Sequence, residues 1–594
     1  MNPFQKFAAK PRTGSDPQAI QQISRRDFLK TGGVFVIGVS LFGCGPESAP
    51  IPVRPVSTTP WSPDVFVSFD ADGTVRIISH RSEMGQGIRT GLPAVLADEM
   101  EADWARVVVE QATADAKYGD QNTDGSHSVR DFMQRMREAG ATVRRMLEQS
   151  AARQWSVDVG ECRAELHTVV HQPSGRVLDY SELVAGAAEL PVPGLEQLAL
   201  KSRDQFRYIG KELPIVDMHD MTHGTANYGA DTRLPGMKFA AIARPPVVFG
   251  KVKSYDATAA LAVAGVEQVI EIPAAEPPAM YKALGGLAVI ASNTWAALKG
   301  RDLLSVEWDD GANADYDSTA YKAALLEAVR QPGTAVRNEG DAEAALTGAA
   351  QTVAAEYYAP HLAHAPMEPP AAVASVTPEF CEIWAPVQDP QSLIPMAEAV
   401  SGLTPAQIRI NVTLLGGAFG RKSKCDFAEE AVYLSKQLGA PVLVQWSRED
   451  DIRHDYFHSV SAQRLEAGLD ESGSVTAWRH RLCYPSIFST FDASTREPVL
   501  LELGLGAQNL PYAIPNLRLE TGPIEAKVRI GWLRSVCNIF QSFAINSFSD
   551  EIAHARGADP LDNLLQLLGS DREIDVAALG LEATENYPFE TGRL

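Results

Sequence analysis

The residue types that could do chemistry are gathered in a few short loops. The first lies in NVTLLGGAFGRKSKCDFAEEAVYLSKQLG, residues 411–439. It reads as a buried strand over 411–415, a glycine turn with two cations over 416–422, and an amphipathic helix over 426–438. Gly416, Gly417, Ala418 and Gly420 are small enough to let a ligand approach the backbone closely. A helix start after them offers unpaired N–H groups and a positive dipole end to an anion. Arg421 and Lys422 add full charges at the same place. The alternative is a strand–helix connection whose glycines only make the turn. A dinucleotide fingerprint is excluded, because the G-x-G-x-x-G spacing and its acidic partner are both absent.

Two further glycine loops precede helices. Glu83-Met84-Gly85-Gln86-Gly87 leads into a helix with Ile88, Leu92, Val95 and Leu96 as its apolar positions. Asp124-Gly125-Ser126-His127-Ser128 leads into a longer one, where Ser128 and Asp131 form an S-x-x-D capping pattern. Its buried stripe is Phe132, Met136, Ala139, Val143 and Met146. Three such loops together point to a ligand with a diphosphate. Arg534, in IGWLRS, stands before a helix start, where the dipole disfavours a cation and an anionic ligand would relieve it. An exposed arginine lying along the surface explains it equally well. His361, His364 and Glu368 cluster in HLAHAPMEP, but the prolines break any helix that could align them as metal ligands. A structural or substrate-channel loop is the favoured reading.

These loops need elements to hold them. Asp70-Ala71-Asp72-Gly73 and Asp470-Glu471-Ser472-Gly473 are hairpin turns between β-rich runs. Residues 214–310 alternate β-rich runs with helices at 257–263 and 294–300, a pattern of a compact α+β unit. Gln388 ends a short strand before the opening stretch. Near the end, Phe540, Phe543, Ala544 and Phe548 form one helix side, and Asp559-Pro560 opens a helix bearing Leu561, Leu564, Leu565 and Leu568. The organisation expected is an export segment over 1–45, a proline-rich linker over 46–63, and three folded segments over 64–213, 214–312 and 313–594.

A chain of 594 residues is too long for one core. The net charge of −22 argues against nucleic acid and anionic membranes as partners. Six cysteines without a C-x-x-C pair carry neither an iron–sulfur nor a zinc cluster pattern. Ser24-Arg25-Arg26-Asp27-Phe28-Leu29-Lys30 before a short apolar run reads as a twin-arginine (Tat) export address, which places the protein in the periplasm. Cys44 faintly fits a lipid-anchoring site, though Phe42 is awkward there.

Taken in order, SRRDFLK, EMGQGIRTGLP, RLPGMKFAAIARPP, NTWAALKGRD, HAPMEPP, LLGGAFGRK and GWLRSVCNIFQSFAINSFSDEIA resemble one family. It is the large molybdenum-binding subunit of isoquinoline 1-oxidoreductase-type dehydrogenases, in the xanthine dehydrogenase/aldehyde oxidase superfamily. The resemblance implies a multidomain α+β fold with an α/β hammerhead domain over 214–312. It implies molybdopterin cytosine dinucleotide as cofactor, with no side chain on the metal. It also implies hydroxylation of a C–H carbon of an N-heterocycle or aldehyde with oxygen from water. Electrons would pass to a separate ferredoxin-like subunit with [2Fe–2S] clusters, with a c-type cytochrome as a further acceptor. By motif match Gln388, Phe419 and Arg534 are the catalytic set. Gly85, Gln86, Gly87, Ser126, Ser128, Gly416, Gly417, Ala418, Gly420 and Arg421 are the cofactor contacts. Ser423 stands where xanthine dehydrogenases have a substrate-orienting glutamate, which argues against purines. The family's general-base glutamate lies in a C-terminal GxxE-type stretch that has no match before Leu594. A catalytically incomplete, cofactor-binding subunit or fragment is therefore the alternative reading.

Overall fold

The computed structural model describes residues 35–36, 66–70, 72–581 and 588–593. The twin-arginine segment, Cys44, the proline-rich stretch and Leu594 lie outside them. The chain forms two compact units, residues 1–226 and 227–594.

In the first unit the hairpin forms where its turn chemistry predicts. Val67–Phe69 pairs antiparallel with Val75–Ser79, and Gly73 takes the left-handed conformation of the turn (φ 84°). Val75–Ser79 then pairs in parallel with Val107–Gln111. Helices Ile88–Glu99 and His127–Trp155 share one core, and Phe132, Met136, Ala139, Val143 and Met146 are all buried in it. The helices touch at Gly140, where a Cβ would come within 2.4 Å of the Leu96 carbonyl oxygen.

The second unit holds a seven-stranded mixed sheet and a five-stranded one. In the seven-stranded sheet, Cys381–Ala385 and Ile408–Val412 run parallel, with helix Leu393–Ser401 between them in the chain. Strands from the stretch expected as a separate α+β unit join this sheet: Lys238–Ala243 pairs in parallel with Val442–Gln445, and Gly286–Ala291 and Val266–Ile272 extend it outward. The same stretch adds a two-stranded ribbon of its own, Lys251–Asp256 with Ser305–Asp309. In the five-stranded sheet the second hairpin, Ser461–Leu469 with Val475–Cys483, turns at Asp470, whose Oδ1 accepts from the Ser472 and Ser474 amides (2.8 and 3.0 Å). Two apolar stripes differ from expectation. On Pro560–Leu568, Leu567 and Leu568 face inward while Leu561 and Leu565 are exposed; on Asn538–Arg556, Phe543 is exposed. Both helices are covered on one side only, and tertiary packing chose the side.

Candidate active site

The turn after Ile408–Val412 is built from left-handed backbone. Gly416, Gly417, Phe419 and Gly420 have φ of 58°, 85°, 57° and 105°. Glycine takes these values without a Cβ penalty, whereas Phe419 costs about 1–2 kcal/mol. Such strain persists only where neighbours over-determine it. Here they do. The Gly420 N–H donates to Gln388 Oε1 (2.9 Å), and the Gln388 N–H donates to the Lys422 carbonyl (2.8 Å). The Arg534 N–H donates to the Phe419 carbonyl (2.9 Å). A Cβ at Gly420 would lie 1.6 Å from the Trp532 carbonyl oxygen, so glycine is required for the two loops to meet. Gln388, Phe419 and Arg534 come from three separate stretches, and one dipeptide, Phe419–Gly420, ties them together. The oxygen of the buried Gln388 carboxamide is used in this tie. The Phe419 ring and the Arg534 side chain are exposed. Strain is also stored beside Arg534, at Ser535 (φ 71°) and Val536 (φ 50°), where a β-branched residue is rare.

Arg421 corrects the sequence reading. It is fully buried and makes a two-pronged contact with Asp426 (2.9 and 3.0 Å) and a third with Asp455 (3.0 Å). Arg529 shares Asp426 from the other side (3.1 Å). Burial pushes the Asp455 carboxyl up, but His364 and Arg421 outweigh it and hold the group below the usual carboxylate range. Lys422 is also buried, paired with Glu368 at 2.8 Å. Burial drives its ammonium down and the Glu368 carboxyl up, against the attraction between them. The two cations thus hold the turn from behind and do not face a ligand; what the turn presents is main chain and the Phe419 ring. The helix start is not an anion site either. A 3₁₀ turn, Arg421–Ser423, comes first, and the first turn of Asp426–Leu438 already carries Asp426 and Glu429. Those two acids complement the dipole and were the sequence signal that it was spoken for.

The HAPMEPP loop is a brace. His364 contacts Asp455 through Nδ1 and the Trp532 carbonyl through Nε2, both at 2.8 Å. Glu368 also accepts from the Ala230 amide (3.0 Å). Among the described residues no group of three or more His, Cys, Asp or Glu is placed to hold a metal ion. The glycine turn, left-handed at four residues and presenting main chain and the exposed Phe419 ring, is the lining available to a cofactor.

In the first unit the glycine turn at 83–87 is closed by its own anion. Glu83 accepts from the amides of Gly85 (2.8 Å), Gly87 (2.9 Å) and Arg89 (3.1 Å), so its carboxylate sits at the start of helix Ile88–Glu99. Gln86 folds back, accepting from Met84 N–H (2.8 Å) and donating to the Ser82 carbonyl (2.9 Å). This corrects the expectation of an open anion site at that helix start; Gly85 and Gln86 themselves remain exposed. The third loop lies alongside, joined by the Ser82 amide to Thr123 Oγ1 (2.9 Å). Its helix starts one residue before the expected cap. Ser126, at φ 61°, is the N-cap and makes no side-chain cap bond, so the S-x-x-D pattern is not used. Ser126 is exposed and Ser128 lies in the first turn. Asp131 instead contacts His127 (3.0 Å) and Arg130 (3.1 Å).

Two family models match the chain, both described as molybdopterin cofactor-binding domains, over residues 18–232 and 328–563. The isoquinoline 1-oxidoreductase subunit beta of Brevundimonas diminuta is 29% identical over 92% of this chain and 75% of its own length. The membrane-bound aldehyde dehydrogenase (pyrroloquinoline-quinone) of Gluconacetobacter polyoxogenes is 29% identical over 94% of this chain and 74% of its own. Among solved structures, quinoline 2-oxidoreductase from Pseudomonas putida 86 aligns with a TM-score of 0.47 and 20% identity, over 59% of this chain and 49% of that one. The chain thus spans about three quarters of these curated relatives and half of the solved chain. It carries molybdopterin cofactor-binding domains in a multidomain α+β fold. It belongs with the molybdopterin-binding oxidoreductases of the xanthine dehydrogenase/aldehyde oxidoreductase family and is homologous to the isoquinoline 1-oxidoreductase beta subunit.

Proposed function

We propose that this chain is the molybdenum-carrying subunit of a hydroxylase acting on a C–H bond of an N-heterocycle or an aldehyde. Its cofactor is molybdopterin cytosine dinucleotide, and its electrons leave through an iron–sulfur subunit toward a c-type cytochrome. The observation that carries the reading is the tie at Phe419–Gly420, which joins three stretches into one strained face. When bound, the cofactor supplies oxidising equivalents and oxygen transfer. The chain's own residues do the rest. Gln388 holds the turn from both sides, its carboxamide oxygen accepting from the Gly420 N–H and its own backbone N–H donating to the Lys422 carbonyl. The exposed Phe419 ring would offer an apolar face to the cofactor and substrate, and Arg534 would present a cation to an electron-rich part of the substrate. Ser423 Oγ donates to the Gly420 carbonyl (2.8 Å), so this position braces the turn and offers no carboxylate to a purine.

The test is the metal and nucleotide content of the purified protein, then reduction by a panel of heterocycles and aldehydes. Stoichiometric molybdenum with released cytidine nucleotide and turnover is the expected result. Molybdenum without turnover on any substrate would favour the second reading, a cofactor-binding subunit that does not catalyse. Neither molybdenum nor nucleotide overturns both. Export goes with the proposal: residues 24–44 act as a Tat address, and replacing Arg25 and Arg26 by lysine should leave the protein in the cytoplasmic fraction.

A further inference from the structure

Lys424 lies one residue past Ser423 and is fully buried. Its Nζ donates to the Gly420 carbonyl (2.9 Å) and to Ser423 Oγ (2.8 Å). The same nitrogen stands 4.0 Å from the centroid of the Trp532 ring and 6.0 Å from that of Tyr281. Its stem runs against the second loop, since a Cβ at Gly531 would meet Lys424 Cε at 3.4 Å. One side chain therefore touches both loops of the site, 416–420 through a carbonyl and 531–534 through an aromatic face and a glycine.

An apolar residue of the same volume would fill this space without the cost of burying an ammonium. What the ammonium adds is a charge-assisted hydrogen bond, roughly twice as strong as a neutral one, with the ring face replacing part of its hydration. It is applied at a sensitive atom. The residue whose carbonyl it holds is the one whose N–H holds Gln388, and the residue before is the left-handed Phe419. The Trp532 carbonyl on the other side is held by His364 Nε2 (2.8 Å), so one wall of the cleft is already rigid and Lys424 draws the turn onto it.

We propose that Lys424 is a positioning residue: its ammonium seats the Gly420 carbonyl against Trp532 and thereby keeps Phe419 and the Gln388 carboxamide in their working orientation. The inference rests on the proposed reading that this turn faces the cofactor. Its test separates the two. Hydrogen exchange by mass spectrometry is compared for the full-length parent, Lys424→Met and Lys424→Gln, with turnover per bound molybdenum measured on the same preparations.

In Lys424→Met, exchange over 416–421 and 532–536 should rise roughly tenfold or more, while hairpin 461–483 stays as protected as in the parent. Lys424→Gln, which keeps one donor, should rise less. Turnover per molybdenum should fall in the same order with KM within about twofold, the sign of lost orientation rather than lost substrate binding. Unchanged exchange at the turn overturns the proposal. So does a loss of protection across the whole chain, or failure to fold, in both variants, because Lys424 would then be core packing. Local loosening with unchanged turnover also overturns it. A parent without molybdenum would defeat the functional reading, and the exchange result would still decide whether Lys424 seats the turn.

Discussion

Replacing Gly420 by alanine tests the join on which the site depends, and Gly439→Ala provides its control. Both glycines are left-handed, at φ 105° and 61°. A Cβ at Gly439 meets nothing within 4 Å, whereas at Gly420 it would stand 1.6 Å from the Trp532 carbonyl oxygen. Gly439→Ala should therefore cost only the backbone term, about 1–2 kcal/mol. Gly420→Ala adds a collision between main chains. Neither can retreat freely, because Trp532 is held by His364 (2.8 Å) and the turn by Gln388 (2.9 Å). With overpacking adding about 1–3 kcal/mol, the total is roughly 2–5 kcal/mol. For a unit of this size 1 kcal/mol moves the melting transition by about 1 °C. Calorimetry of the cofactor-free chain should thus show Gly420→Ala melting several degrees below the parent and Gly439→Ala within about 2 °C of it. Turnover per molybdenum should collapse only in Gly420→Ala. Equal stability and equal turnover in the two variants would refute the packing of the turn against Trp532.

Other expectations follow from the same contacts. Arg421→Gln removes a buried partner of Asp426 and Asp455 and should destabilise the cofactor-free chain by about 3–5 kcal/mol, measured by urea unfolding; a variant as stable as the parent but weaker in cofactor retention would return Arg421 to the ligand face. Gln388→Ala should lower turnover while molybdenum content and melting temperature stay near the parent's, and unchanged kinetics would remove Gln388 from the metal. His80 is buried between Phe66 and Phe132, and among the described residues neither ring nitrogen has a hydrogen-bond partner. Burial first, then Arg81 and Arg135, depress it to about 3. A base depressed in the folded state contributes stability that is full above its unfolded value near 6.5 and is lost as pH falls toward 3. At pH 5 that loss is about 2 kcal/mol, so His80→Phe should flatten the acid side of the stability curve of residues 1–226. An unaltered acid limb would count against it.

Much of the local structure was legible because its determinants are neighbours in the chain. Helix Asp426–Leu438 follows from its periodicity and from Gly439 at its end, and the hairpins at Gly73 and Gly473 follow from their turn residues. The buried stripe from Phe132 to Met146 follows from helical spacing. The stripe on Pro560–Leu568 misled for the opposite reason: four leucines leave a helix several ways to be half-buried, and contacts from elsewhere choose among them.

Charge was read least well. Arg421, Lys422 and the start of the helix at Gly87 looked available to an anion, yet Asp426, Glu368 and Glu83 respectively occupy them. The sequence by itself determined which residues are chemically able, where glycine turns and hairpins interrupt the regular elements, and which family the ordered motifs resemble. Only the tertiary structure decided which cations turn inward, that Phe419–Gly420 joins Gln388 to Arg534, and that Lys424 lies between the loops. The physical reason is range. Helical periodicity and turn conformation depend on a few consecutive residues, whereas the partner of a buried charge is set by whichever group the fold brings within about 3 Å, and desolvation makes that choice decisive.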